Sequence, residues 1–288
     1  MSPDGRSVTR DDLICANYTL GGLEGSLTLE QRAAAVASGG FRYLGWMGVS
    51  YDAERAAGRT DADIRAILAH HGVAIAEIEF LFGWATAGDP GIDWQQMEAD
   101  LFALADVVGA RHINCGDVGL AGSMLPLDGV VERFAGVCDR AAEHGLLVAI
   151  EFLPWSGIPD AGAAWEIARL AGRANGGVLI DAWHYFRGAA DPAQLEGIPP
   201  EHVNLIQLTD AGPRQGDVME DTSTRRRLPG EGELDLVGFL RLLDDRGVTA
   251  PISVEIFSNE LDAMPPAEAA KRVYEAAWAT VAEARGSR

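Results

Sequence analysis

Four short apolar runs in the second half of the chain each end in a residue that carries a side-chain oxygen. The runs VAIE, VLID, NLIQ and ISVE end at Glu151, Asp181, Gln207 and Glu255. Such runs are typical of buried β-strands, and a buried carboxylate must be paired, hydrogen-bonded or bound to a metal. Because the runs contain no Lys or Arg, three carboxylates brought together at their ends would repel one another. The pattern therefore indicates a divalent metal site built from these four residues.

The expected ligand set, three carboxylates and one amide oxygen, is a hard one. Hard oxygen ligands favour Mn²⁺ or Mg²⁺ over zinc or copper, with zinc as the alternative metal. The competing interpretation is that each acid caps a neighbouring helix or pairs with an arginine from a loop. That interpretation explains any single acid, but it does not explain why four successive strands share the feature.

The four runs belong to a pattern that repeats along the chain: a helical stretch, a stop at Gly or His-Gly, and a short apolar run. The copies are VASGGFRYLGW, LAHHGVAIAEIEF, ADVVGARHINC, AAEHGLLVAIEF, GRANGGVLIDAW and DDRGVTAPISVEIF, and DDLICAN and EHVNLIQLTD complete eight candidate strands. Helix starts between them are marked by Thr28, Thr60, Asp93, Asp160 and Asp235. Strands that alternate with helices pair in parallel through right-handed crossovers.

Eight strand–helix units in a chain of 288 residues predict an α/β fold, a single (β/α)8 TIM barrel over residues 1–288. The main alternative is an open doubly wound sheet, but no strand is followed by a Gly-rich phosphate-binding turn. In a barrel, the carboxyl ends of all strands meet at one mouth, where active sites are built. The four oxygen-bearing residues are therefore expected to converge.

Composition restricts the possible partners. The formal net charge of −20 at pH 7 repels phosphate backbones and anionic membrane surfaces, so we expect no nucleic acid and no membrane as partner. The N-terminal MSPDGRSVTRDD contains no apolar segment and no stretch is long enough to span a membrane, which predicts a cytoplasmic protein. Three cysteines without CxxC spacing indicate neither a disulfide framework nor a thiolate zinc site.

The motifs AIEF, IDAWH, IQLTD, RLPGEGELD and ISVEIF resemble those of the xylose isomerase-like TIM barrel superfamily. This superfamily includes sugar isomerases and epimerases of the tagatose epimerase and inosose-processing kinds, with endonuclease IV as a distant relative. The resemblance covers nearly the whole chain. It implies that Glu151 and Glu255 are metal ligands that also act as the catalytic acid/base pair. It further implies that Asp181 is a ligand and that His184 of the D-x-x-H motif contacts the substrate or a metal-bound water.

The resemblance also implies that an arginine before the RLPGEGELD turn reaches the substrate. Arg227 is the nearest match, with Arg226 and Arg225 as alternatives. In sugar epimerases the ligand on the seventh strand is most often histidine, whereas this chain has Gln207. Glutamine at this place resembles some 3-dehydroshikimate dehydratases of the same superfamily.

Such a site supports proton transfer next to a carbonyl. The metal would chelate a carbonyl and an adjacent hydroxyl oxygen, while Glu151 and Glu255 remove and return the proton. We therefore predict a divalent-metal-dependent isomerase or epimerase of a sugar, keto-sugar or inositol derivative that acts through an enediolate. If a hydroxyl group β to the enolate leaves instead, the same site is a dehydratase of a hydroxylated ring ketone.

Aromatic and polar residues near the predicted strand ends suggest the substrate class. The aromatic ones are Trp46, Trp84, Trp155, Trp183, Phe82 and Phe257, and the polar ones are Glu77, Glu79, Asn17, His112 and Asn114. Several rings at the mouth would form an apolar wall for a carbohydrate or cyclic polyol. Trp155, Trp183, Glu77 and His112 are therefore candidate substrate contacts, with core packing or loop hydrogen bonding as the alternative.

Two other functions compete with these predictions. An abasic-site endonuclease requires a multinuclear zinc site and a basic surface, which six histidines and a net charge of −20 do not favour. A non-catalytic sugar-binding protein is the remaining alternative. Members of the family often pair through their helices, so the resemblance allows a homo-oligomer, although the helices of this chain show no unambiguous interface stripe.

Overall fold

Eight parallel strands close into a barrel in which each strand pairs with its neighbour in sequence and the last pairs with the first. The computed structural model describes residues 12–22, 27–87, 92–119 and 124–286. The barrel strands are β1 (Leu13–Cys15), β2 (Tyr43–Met47), β3 (Ala74–Leu81), β4 (His112–Gly116), β5 (Leu147–Glu151), β6 (Gly176–Asp181), β7 (Val203–Leu208) and β8 (Ile252–Val254). The predicted (β/α)8 barrel is confirmed.

The helices that surround and cap the barrel are α1 (Leu29–Gly39), α2 (Gly48–Ala56), α3 (Asp61–His71), α4 (Trp94–Val108), α5 (Leu127–Glu143), α6 (Ala161–Ala171), α7 (Ala182–Arg187), α8 (Val218–Thr224), α9 (Leu236–Asp245), α10 (Asn259–Asp262) and α11 (Pro266–Gly286). Thr28 and Thr60 form the capping boxes that their spacing predicts. No described helix is both long and apolar enough to cross a membrane.

The prediction of one domain over residues 1–288 stays a prediction. The structure describes the barrel and its helices, whereas residues 1–11 of the stretch MSPDGRSVTRDD and residues 287–288 lie outside the described ranges.

The barrel interior has an apolar layer beneath a polar one. The apolar layer consists of Ile14, Tyr43, Ala76, Ala149, Leu179 and Leu205. Because side chains alternate along a strand, the residue two positions further on points into the barrel as well. In β5, β6 and β7 those residues are Glu151, Asp181 and Gln207. The alternation thus positions three of the four predicted ligands on the inner face at the carboxyl ends.

An irregularity in β3 changes which of its side chains face the interior. Leu44 pairs with Ile75 and Gly45 with Glu77, so Ala76 is an extra residue in β3. Such a bulge interrupts strict alternation. Ala76 belongs to the inner apolar layer, and the next residue, Glu77, also lies inside the barrel, where it accepts a hydrogen bond from Ser253 of β8.

Candidate metal centre and active site

A cavity of about 400 Å³ opens at the carboxyl ends of the barrel strands. Every strand or the loop that follows it contributes to the lining, which consists of Tyr18, Met47, Glu79, Phe80, Phe82, Val118, Glu151, Leu153, Trp155, His184, Met219, Thr222, Ser223, Arg226, Glu255 and Phe257. Carboxylates, one imidazole and one guanidinium therefore face a cavity whose walls are otherwise largely apolar and aromatic.

Three buried side chains, two of which line the cavity, form a group that could hold a metal ion. One ligand atom each from Glu151, Asp181 and His184 lies within 4.8 Å of the other two. The Nε2 atom of His184 is 3.1 Å from Oε1 of Glu151 and 3.9 Å from Oδ2 of Asp181. The resemblance implied that His184 contacts the substrate or a metal-bound water, whereas this geometry also makes its imidazole a candidate ligand.

The D-x-x-H spacing has a local structural cause. Asp181 ends β6 and is also the N-cap of α7, where its Oδ1 atom accepts a hydrogen bond of 2.9 Å from the backbone N–H of His184. An N-cap carboxylate typically binds the N–H two or three residues further on, which brings that residue back over the cap. The cap therefore holds the imidazole beside the carboxylate.

Arg226 joins two of the predicted ligands. Its Nη1 atom donates to Oδ2 of Asp181 at 3.0 Å and to Oε2 of Glu255 at 3.1 Å, and its Nη2 atom donates to Thr222 at 3.0 Å. The guanidinium is buried and lies 4.8 Å from the ring centroid of Phe257. It thus links the ends of β6 and β8 while stacking on the cavity wall.

Arg227, the predicted substrate contact, does not reach the cavity. It is exposed, and its Nη1 atom donates to the backbone oxygen of Glu231 at 3.2 Å. Residues 226–227 pair with Asp210–Ala211 in a short antiparallel ribbon, in which successive side chains point in opposite directions. The run of three arginines does not reveal which of them points towards the cavity. The structure shows that Arg226 does and that Arg227 points away from it.

Gln207 lies fully buried beside Asp181, its paired neighbour on the adjacent strand. Its Nε2 atom donates to Oε1 of Glu79 at 3.2 Å, while its Oε1 atom has no hydrogen-bond partner among the described residues. An unpartnered buried acceptor is costly, and a cation would satisfy it.

Two predicted substrate contacts lie below the cavity rather than in its wall. Glu77 and His112 are fully buried, and Nε2 of His112 is 3.7 Å from Oε2 of Glu77. Glu77 accepts hydrogen bonds from Ser253 at 2.5 Å and from Asn114 at 3.3 Å. The bulge in β3 directs Glu77 into the barrel, and these contacts place it in an interior polar cluster.

The aromatic residues also divide between wall and core. Trp155, Phe82 and Phe257 line the cavity, whereas Trp183 is fully buried and does not. Trp183 packs edge-on against His184 with ring centroids 5.3 Å apart, so it supports the imidazole from behind. Trp46 and Trp84 are core residues.

Sequence reasoning missed several cavity residues. Tyr18 and Phe80 complete the aromatic wall, and α8 contributes Met219, Thr222 and Ser223. The only available signal for α8 was the long polar segment between IQLTD and RLPGEGELD, whose course depends on tertiary contacts.

Burial and neighbouring charges shift the pKa values of three buried carboxyls, raising those of Glu79 and Glu255 and lowering that of Asp181. Burial raises the pKa of Glu79 well above its ordinary value, and the charges of Glu77, Glu255 and Glu151 raise it further. Burial also raises the pKa of Glu255 well above the ordinary value, although Arg226 acts against it. Burial opposes ionisation of Asp181 too, but His184 and Arg226 outweigh it and lower its pKa.

These shifts predict how the stability of the metal-free protein depends on pH. Because the pKa of Glu79 is raised in the folded protein, the unfolded chain loses this proton first as the pH increases. The contribution of Glu79 to stability is therefore complete below the ordinary carboxyl range and is lost as the pH rises through the raised value. Urea unfolding with a chelator should show a smaller decline with pH for Glu79→Gln than for the wild type. An equal decline would contradict the assignment to Glu79.

The residues at the base of the cavity fit a divalent cation. Glu151, Asp181 and His184 offer ligand atoms close together, Gln207 offers a buried amide oxygen without a donor, and Glu255 lies across Arg226 from Asp181. Carboxylate, imidazole and amide ligands suit Mn²⁺, Mg²⁺ or Zn²⁺.

Comparisons with known proteins identify the family of this chain. A family model described as "Xylose isomerase-like TIM barrel" matches residues 33–278. A 3-dehydroshikimate dehydratase from Pseudomonas aeruginosa is 33% identical over 130 residues, which are 45% of this chain and 20% of that protein. An inosose isomerase from Halalkalibacterium halodurans is 28% identical over 133 residues, 46% of each chain. The chain thus spans less than half the length of these two curated relatives.

A solved structure supports the fold. The IOLI protein, described as having a bound zinc atom, superimposes with a TM-score of 0.82 at 17% identity, covering 94% of this chain and 98% of that one. At this identity the likeness concerns the fold alone. The family match, in contrast, covers most of the chain and includes all four oxygen-bearing strand ends. The chain belongs to the xylose isomerase-like TIM barrel family.

Proposed function

We propose that this protein is a divalent-metal-dependent isomerase or epimerase that removes a proton next to the carbonyl of a neutral ring keto-polyol. The observation that carries the proposal is the placement of Glu151 and Glu255. Both line one cavity, at the ends of strands separated by β6 and β7, and those two strands end near Asp181 and Gln207. In this proposal the two carboxyls act from either side of the candidate ligands Asp181 and Gln207.

Within this proposal each residue has a distinct task. When bound, the metal supplies positive charge that stabilises the oxyanion of the deprotonated substrate. Glu151 and Glu255 approach from two sides, so one removes the proton and the other returns it. Return to the neighbouring carbon is isomerisation, and return to the opposite face of the same carbon is epimerisation. His184, 3.1 Å from Glu151, and Arg226, 3.1 Å from Glu255, each hold one of the two carboxyls in position.

The cavity favours a neutral ring as substrate. Among the described residues, Arg226 and His184 are the cationic or potentially cationic groups in the lining, and Arg226 is already bound to two carboxylates. Among the described lining residues, the guanidinium of Arg226 is thus occupied by carboxylates and the imidazole of His184 lies 3.1 Å from Glu151, so neither side chain is free to pair with a substrate carboxylate or phosphate. Phe82, Trp155 and Phe257 provide apolar walls for the C–H faces of a ring. A keto-inositol, the class named in the inosose isomerase relative, fits these properties.

Dehydration is the second candidate, and Gln207 favours it. Glutamine on the seventh strand resembles some 3-dehydroshikimate dehydratases, and a protein named 3-dehydroshikimate dehydratase is 33% identical to this chain over 130 residues. In that reaction the same C–H bond breaks, the β C–O bond breaks, a C=C bond forms and water leaves. The lack of a free cation in the described lining counts against an acidic substrate.

The two reactions can be separated by incubating the Mn²⁺-loaded protein in D₂O with inosose and, separately, with 3-dehydroshikimate. We expect deuterium to enter the carbon next to the carbonyl of inosose without loss of water, because Glu151 and Glu255 exchange protons with solvent. Proton NMR measures this exchange, and the ultraviolet absorbance of an aromatic product measures dehydration. If absorbance increases with 3-dehydroshikimate and no deuterium enters inosose, the dehydratase is favoured.

If the metal-loaded protein catalyses neither reaction, the proposed substrate class is wrong. Binding of inosose without any exchange would instead support a sugar-binding protein.

A further inference from the structure

A chain of buried side-chain contacts leads from the barrel interior to the candidate metal centre. Oε1 of Glu79 accepts two hydrogen bonds, one of 3.1 Å from Nδ2 of Asn114 and one of 3.2 Å from Nε2 of Gln207. Asn114 and Gln207 are fully buried, and Glu79 is 3% exposed at the cavity base. Neither amide oxygen has a partner among the described residues. One carboxyl oxygen thus holds both amide NH₂ groups.

This contact determines the orientation of the Gln207 amide. The oxygen and nitrogen of an amide project in different directions from one carbon, so holding the nitrogen against Glu79 turns the oxygen away from it. The reversed orientation would bring the amide oxygen against a carboxyl oxygen that already accepts from Asn114. A neutral Glu79 that carries its proton on Oε2 accepts the same two hydrogen bonds through Oε1.

The unpartnered Oε1 atom of Gln207 belongs to a residue at the same level of the barrel as the candidate ligand Asp181. Gln207 pairs in register with Asp181, and both side chains lie fully buried inside the barrel. A buried amide oxygen without a donor is unfavourable, and a cation bound to it would offset that cost. An amide oxygen suits hard cations, since Mn²⁺ and Mg²⁺ prefer oxygen ligands more strongly than Zn²⁺ does.

We propose that Glu79 is a positioning residue that orients the Gln207 amide oxygen towards the metal and thereby favours Mn²⁺ and Mg²⁺ over Zn²⁺. The proposal rests on the metal dependence proposed above. Glu79 acts through Gln207 and is not itself a ligand. Removing its acceptor oxygen should free the amide to rotate, so the centre would lose affinity for Mn²⁺ more than for Zn²⁺.

The test compares two uncharged replacements of one carboxyl. Glu79→Gln keeps an acceptor oxygen for the two amides, whereas Glu79→Met removes it at similar volume. We expect Glu79→Met to weaken Mn²⁺ binding by about 10- to 100-fold and to lower the ratio of Mn²⁺ to Zn²⁺ affinity. Glu79→Gln should stay within about 3-fold of the Mn²⁺ affinity of the wild type. Calorimetric titration of chelator-treated protein with each metal alone provides both values.

Two further variants separate positioning from a general effect on the interior. Glu77→Met removes a carboxyl that accepts from Ser253 and Asn114 in the same cluster. It should leave the affinity ratio unchanged. In a Gln207→Met background, Glu79→Met should have no additional effect on the ratio, because the residue through which it acts is gone. If Glu79→Met does not fold, Glu79→Asp, which withdraws the carboxyl by one methylene, should lower the ratio in the same direction.

The outcomes distinguish this proposal from the proposed function. Wild-type protein that binds no divalent metal would overturn both. Wild-type binding with an unchanged ratio in folded Glu79→Met, or in Glu79→Asp where Glu79→Met does not fold, would overturn the positioning role alone. The positioning role would also be overturned if Glu77→Met and Glu79→Met lowered the ratio of Mn²⁺ to Zn²⁺ affinity equally. The same holds if Glu79→Met lowered that ratio as much in the Gln207→Met background as in the wild type.

Discussion

Replacing Glu255 by Gln is expected to lower the rate of substrate proton exchange by about 1,000-fold, and replacing Glu151 by Gln should have an effect of similar size. General acid–base catalysis by a positioned side chain contributes roughly 10²- to 10⁴-fold, and an amide cannot accept the proton. Both residues line the cavity, and in Glu255→Gln the pair between Asp181 and Arg226 keeps its partners. Deuterium exchange into the keto-polyol, measured by NMR at saturating Mn²⁺, gives the rate.

The matched control is Glu260→Gln, which makes the same change at an exposed glutamate outside the cavity lining. It should exchange protons at the wild-type rate. If Glu151→Gln or Glu255→Gln kept the wild-type rate while binding metal, that residue would not be part of the acid/base pair. Measuring metal content for each variant separates loss of the base from loss of the cation.

Replacing Arg226 by Met should lower the free energy of unfolding of the metal-free protein by about 3–5 kcal/mol. Removing one member of a buried ion pair leaves the other charge without compensation in a low-dielectric environment. Asp181 is fully buried, and His184 and Arg226 lower its pKa. Arg226→Met would therefore remove one of the two groups that stabilise the buried carboxylate. Urea unfolding in the presence of a chelator measures the loss.

Arg227→Met is the matched control, since Arg227 is the next residue but is exposed. Its free energy of unfolding should change by less than about 0.5 kcal/mol. Addition of Mn²⁺ should restore more stability to Arg226→Met than to the wild type, because the cation replaces the missing positive charge. Equal destabilisation by the two replacements would show that the buried ion pair does not determine stability.

The sequence alone predicts the barrel because its signals are local and repeated. Each unit contains its own helix start, Gly stop and apolar strand, and eight such units without a Gly-rich phosphate-binding turn favour a closed barrel over an open doubly wound sheet. The caps at Thr28 and Thr60 form as their spacing predicts. The acceptors at the strand ends are also readable, since the alternation of β5 and β6 puts Glu151 and Asp181 two residues beyond inward-facing apolar residues.

The tertiary structure alone decides which side chains of an extended segment point inward, because that depends on how the segment pairs with its neighbours. Arg226 rather than Arg227 enters the site because the ribbon with residues 210–211 sets which of two adjacent side chains points inward. The bulge at Ala76 brings Glu77 into the barrel interior, below the cavity. A shift of one residue reverses the face of an extended chain, and one sequence is compatible with either phase. Only pairing with residues elsewhere in the chain selects one phase, which is why the sequence named Arg227 and the structure turns Arg226 inward.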